Sequence, residues 1–100
     1  MEITSKQRAK LKNIAAGTPA IFQIGKNGLT DELIKQLDAA IEAREIIKIN
    51  VLESAPEDKN VLAHEIADRT GSLVVQVIGQ KIVLYRQNKN PKKRVVEIND

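Results

Sequence analysis

Seven consecutive residues, Ile24-Gly25-Lys26-Asn27-Gly28-Leu29-Thr30, constrain this chain more than any other stretch. An apolar run ends at Ile24, two glycines bracket a cation and an amide, and Thr30-Asp31-Glu32 has the composition of a helix start. Glycine passes readily through positive φ and leaves room where a Cβ would stand. The stretch therefore predicts a strand that turns at once into a helix. Bare N–H groups, one positive charge and one amide would sit at the helix mouth, a place suited to phosphate. An ordinary strand-to-helix turn that needs two glycines satisfies the same residues.

The flanking pattern supplies the rest of the fold. Thr4-Ser5-Lys6-Gln7 reads as a capping box opening a helix to about Ala16, with Leu11, Ile14 and Ala15 on its buried stripe. Lys6 and Lys10 fall on one flank of that stripe, Arg8 and Lys12 on the other. Ala20 to Ile24 is apolar on both sides and fits the interior of a sheet. Thr30 caps the second helix, Leu29 and Ile34 form a hydrophobic staple, and Leu33, Leu37, Ala40, Ile41 and Arg44 keep the helical period. Ile47, Ile49 and Val51 alternate with Lys48 and Asn50 as a half-buried strand.

A third helix runs from about Asp58 to Gly71, packing through Leu62 and Ile66, with Val61 a further candidate. Leu73–Ile78 and Ile82–Arg86 form a hairpin around Gly79-Gln80, a type II′ turn. The order α–β–α–β–α–β–β predicts an α/β (α+β-like) single domain, a four-stranded mixed sheet with three packed helices. Strand–helix–strand crossovers predict parallel neighbours. The domain would fill residues 1–87, and 88–100 would be a basic, mobile tail.

Charge is unevenly laid. The net +3 hides two acid-free blocks, residues 3–30 and 71–96, which hold eleven of the sixteen cations. Ten of the thirteen acids lie between Asp31 and Arg69, beside only five cations. Blocks that met in space would make one strongly basic face, an electrostatic footprint for nucleic acid. A solvated charged surface without a partner is the plainer reading.

Several chemistries lack the residues they need. There is no cysteine, so no disulfide or thiolate metal site is available. His64 is the lone histidine, without an evident nucleophile nearby, and the scattered carboxylates offer no zinc set. Asp31-Glu32 and Glu57-Asp58 sit at helix starts, where the helix dipole accounts for them. The glycine loop lacks the length and the Gly-Lys-Ser/Thr ending of a P-loop. With Phe22 and Tyr85 as the only aromatics, a multi-ring stacking platform cannot be built, so recognition would lean on phosphates, sugars and shape. No stretch approaches the about 20 apolar residues of a membrane span, no signal pattern opens the chain, and the expected location is cytoplasmic. No cofactor and no small-molecule substrate are expected.

Ile3-Thr4-Ser5-Lys6-Gln7-Arg8, Gln23-Ile24-Gly25-Lys26-Asn27-Gly28-Leu29-Thr30, Glu45-Ile46-Ile47-Lys48-Ile49 and the run Gln76 to Arg86 together resemble the YhbY-like proteins. These consist of one CRM (chloroplast RNA splicing and ribosome maturation) domain. The likeness spans about residues 3–87. It implies an RNA-binding fold similar to the C-terminal domain of bacterial translation initiation factor three. It also implies association with large ribosomal subunit precursors in bacteria and with intron RNA in plant organelles. The loop role falls on Gly25, Lys26, Asn27 and Gly28, and the basic helix on Lys6, Arg8, Lys10 and Lys12. Lys81 and Arg86 complete the candidate set. The expectation is a non-enzymatic RNA-binding protein of ribosome assembly whose partner is ribosomal RNA or a pre-ribosomal particle. An adaptor docking its basic face on an acidic protein, duplex DNA binding, and RNA processing through His64 are the alternatives.

Overall fold

A computed structural model describes residues 2–98. Its elements follow the expected order: α1 (Ser5–Ala16), β1 (Phe22–Ile24), α2 (Asp31–Arg44), β2 (Ile46–Val51), α3 (Lys59–Thr70), β3 (Leu73–Ile78) and β4 (Lys81–Tyr85), with a 3₁₀ turn at Pro91–Lys93. The helix starts are where local chemistry puts them. Thr4 Oγ1 accepts from Gln7 N while the Gln7 side chain accepts from Thr4 N, both at 3.0 Å, which closes the capping box. Thr30 Oγ1 accepts from Leu33 N, and the Asp58 carboxylate accepts from Asn60 N. That bond to Asn60 holds the Asp58 carboxyl below its ordinary value. Gly71 ends α3 in the left-handed region at φ +65°.

The strands lie in the order β1-β2-β4-β3. β1 and β2 are parallel, and β4 is antiparallel to both β2 and β3. Two expectations need correction. β1 is an edge strand of three residues that pairs with β2 alone; Gln23 is exposed and only Ile24 is fully buried. β2 and β3 are not neighbours, since β4 swings back from the hairpin and pairs with β2 from Ile46↔Tyr85 to Asn50↔Lys81. Gly79 has φ +56°, whereas Gln80 is not among the residues of positive φ, as a type II′ turn requires.

Strand alternation divides the core in two. Ile24, Ile47, Ile49, Val51, Ile82 and Leu84 meet Leu37 and Ile41 of α2 and Leu62 and Ile66 of α3 on one face of the sheet. Ile46, Val75, Val83 and Tyr85 meet Leu11 and Ala15 of α1 on the other. Val61 is about half exposed and does not pack; Ala63 and Ala67 take its place, and Arg44 is exposed. Leu29 and Ile34 join the same core cluster, which fixes how the glycine loop enters α2.

Of the expected tail, residues 88–98 pack against the domain, and 99–100 lie outside the described residues. Asn88 and Ile98 are buried, and Ile98 packs with Leu11 and Tyr85 under α1. The anchor of this segment is Glu45, a fully buried residue between α2 and β2 at φ +66°. The Glu45 carboxylate accepts from the backbone N–H groups of Asn88 (2.6 Å), Val95 (2.7 Å) and Val96 (2.8 Å). A non-glycine residue at positive φ costs about 1–2 kcal/mol, and three hydrogen bonds to a charged acceptor offset that strain.

Candidate nucleic-acid interface

The glycine loop stands at the end of the sheet where β1 and β2 finish and the β3–β4 hairpin turns. Leu52 N donates to Ile24 O, Val51 N donates to Gln80 O, and the Lys59 ammonium reaches Gly79 O. These bonds tie loop, hairpin and the start of α3 into one rim. Within the loop, Gly28 N donates to Gly25 O at 3.0 Å, closing a four-residue turn with Lys26 and Asn27 at its tip. Both tip residues are exposed, and neither backbone N–H has a hydrogen-bond partner among the described residues.

The two glycines do not serve close approach of a ligand equally, contrary to expectation. Gly28 is buried at φ +63°, and a Cβ there would stand 3.1 Å from Pro56 Cγ. It is glycine because of that φ and of Pro56, and its N–H is spent on the turn. Gly25 is half-buried, with Leu52 Cδ1 3.5 Å from where a Cβ would be. The loop thus offers Lys26, Asn27 and two free N–H groups, not a bare four-residue strip.

Next to the loop, one row of residues crosses the sheet on the α1 face. Register pairs Gln23 with Asn50, Asn50 with Lys81, and Lys81 with Ile78. The adjacent row, Phe22, Ile49, Ile82 and Val77, packs on the α2–α3 side, so this row points the other way. Lys81 is exposed, its ammonium 3.4 Å from Asn50 Oδ1. Lys48 lies on the same face, paired with Val83 one row back. α1, with its exposed Lys6 and Lys12, packs on the far part of this face.

Other candidates are occupied elsewhere. Arg8 is half-buried, and its Nη1 donates to Val74 O (3.0 Å) and Val75 O (2.7 Å). Those carbonyls belong to a β-bulge between Val74 and Gln76, where the ladder leaves acceptors unpaired. Arg8 therefore completes the sheet. Lys10 is half-buried and has a partner within the fold. Arg86 donates from Nη1 to Asp38 Oδ1 (2.6 Å) and to Thr70 O (2.5 Å), joining α2 to the end of α3. It leaves β4 beside Glu45, whose carbonyl accepts from Arg86 N. β2 runs its whole length, about 17 Å, between Arg86 and the glycine loop. The cations of the second acid-free block are thus split between opposite ends of the sheet.

Sequence reasoning passed over Gln23, Asn50, Leu52 and Ser54, which surround the loop only after β1 and β2 pair. Period-two alternation marks Asn50 as outward, yet nothing local says which strand lies beside it. His64 is exposed in the middle of α3. Among the described residues no three acids, histidines or cysteines gather as metal ligands, and no helix is long and apolar enough to cross a membrane.

A small α/β domain that presents a cationic glycine turn at one end of a mixed sheet is the class this geometry defines. Residues 3–86 match the model of the CRS1 / YhbY (CRM) domain, and the chain belongs to that family. It is 44% identical over 90 residues to a Bacillus subtilis (strain 168) protein named "Probable RNA-binding protein YqeI", covering 90% of this chain and 94% of that one. A Haemophilus influenzae protein named "RNA-binding protein" is 31% identical, with 90% of this chain and 91% of that one covered. The solution structure of SAV1595 from Staphylococcus aureus superimposes with a TM-score of 0.76 at 42% identity, covering 96% of this chain and all of that one.

Proposed function

We propose that this chain is a non-catalytic RNA-binding protein whose glycine-loop end holds the RNA backbone, and that its RNA is ribosomal, in a precursor of the large subunit. The observation that carries the RNA reading is the exposed Lys26-Asn27 tip with its unpaired N–H groups, at the end of the sheet where Lys81 lies, with α1 and its exposed Lys6 and Lys12 packed on the sheet face that bears Lys81. Lys26 meets one phosphate, the tip N–H groups a second, and Lys81 with the α1 lysines further ones. Relatives named for RNA binding support the polymer. The ribosomal target rests on the likeness to the YhbY-like proteins.

Four lysines each neutralising a phosphate give a log–log salt slope of about −3 to −4. Crosslinking in cells followed by sequencing of the bound RNA tests class and target together. Large-subunit ribosomal RNA enriched over messenger and transfer RNA is the expected result; recovery of no RNA above background overturns the proposal. A pull-down that is salt-sensitive yet resists RNase would instead identify an acidic protein partner.

A further inference from the structure

The loop does more than border a phosphate path, for it also lines an open surface groove of about 430 Å³. Leu33 and Leu52 form its apolar part. Leu33 is half-buried and rooted in the α2 core, whereas Leu52 is an exposed large apolar residue whose backbone N–H bonds to Ile24 O. The rim is polar in a particular way: Gln23, Asn27 and Ser54 surround the apolar walls. Their side chains make no hydrogen bond among the described residues, leaving two amides and a hydroxyl with donors and acceptors to spare.

A phosphate alone has no use for the leucines, and an apolar ligand alone has no use for two amides. A nucleobase uses both, with flat apolar faces and an edge of alternating donors and acceptors. We infer that this groove takes one unstacked base of a single-stranded RNA segment, Leu33 and Leu52 against its face and Gln23, Asn27 and Ser54 at its edge. This rests on the backbone-clamp reading, because Lys26 at the groove's rim would hold the adjoining phosphate. It adds what that reading lacks, a preference for single strands and for base identity. Bases paired in a duplex keep their faces stacked and cannot enter.

The test measures affinities of the full chain for four 12-nucleotide homopolymers and for a 12-base-pair RNA duplex, with methyl and amide NMR spectra alongside. The single strands are expected to bind more tightly than the duplex and to shift the Leu33 and Leu52 methyl resonances, which the duplex leaves in place. Gln23→Ala and Ser54→Ala should each change the ratio of affinities between two homopolymers by about two- to tenfold, the worth of an edge hydrogen bond. Leu52→Ser should lower single-strand affinity while sparing duplex affinity. Lys26→Ala should weaken all the RNAs alike, leaving the ratios intact. If Lys26→Ala weakens binding but the other variants leave every ratio unchanged, the base site is overturned and the clamp survives. If Lys26→Ala changes nothing, the clamp itself falls.

Discussion

The two ends of the sheet are built from similar side chains and used in opposite ways. At the glycine-loop end, Lys26, Asn27, Lys81, Gln23 and Ser54 face solvent with few internal partners. At the other end polar groups are consumed by the fold: Glu45 takes three N–H groups, and Arg86 joins Asp38 to Thr70 O. Arg94 Nε donates there to Asn88 O. A count of cations cannot separate these uses. What a charge is available for depends on whether a carboxylate or an orphaned carbonyl has already claimed it.

The contrast can be broken most forcefully at Glu45. Glu45→Ala leaves three backbone N–H groups without their acceptor and should cost about 3–5 kcal/mol in urea unfolding. The loop-end amide shifts should stay in place wherever the protein remains folded. Gly28→Val sets a β-branched residue at positive φ against Pro56, and a loss of about 2–3 kcal/mol is expected together with a collapse of RNA affinity. A variant with full affinity would show that the turn only connects two elements.

Arg8→Ala should cost about 1–2 kcal/mol by stripping the bulge carbonyls of their donor. An Arg8→Ala protein of unchanged stability but weakened RNA binding would move Arg8 into the interface.

The packed end should also carry a pH signature. The Tyr85 side chain is fully buried, its hydroxyl has no partner among the described residues, and burial first, then the negative Glu45, raise its pKa to about 12. Between pH 10 and 12 the unfolded chain releases this proton and the folded chain retains it. Stability therefore falls as pH rises through that window, by up to about 1.4 kcal/mol per unit, and should fall less in Tyr85→Phe. The smallest stability effect belongs to the loop tip: Lys26→Ala should change unfolding by less than about 0.5 kcal/mol while weakening RNA binding.

The sequence announces the elements well, because their signals are local. Thr4 with Gln7, Thr30 with Asp31-Glu32, Gly71 and Gly79-Gln80 each specify their cap or turn within four residues. What it conceals depends on strands meeting. Arg8 looks like one more exposed helix cation until the bulge 66 residues away offers its carbonyls. Arg86 looks free until α2 brings Asp38 beside it. β1 has the composition of an inner strand, yet among the described residues no strand pairs with its outer side. The basic run Lys92-Lys93-Arg94 suggests a loose tail because composition cannot show that Glu45 waits for the N–H groups that follow it. The loop itself is legible as a phosphate corner, whereas Leu52 and Ser54 reach it only through parallel pairing.

The most direct test of the account is a ¹H–¹⁵N titration of the full chain with single-stranded RNA at low salt. Residues 23–28, 50–54 and 79–81 should shift together, and those around Glu45, Arg86 and Asn88 should hold still. Shifts gathered at Arg86 and the 88–98 segment, with the glycine loop unmoved, would contradict it.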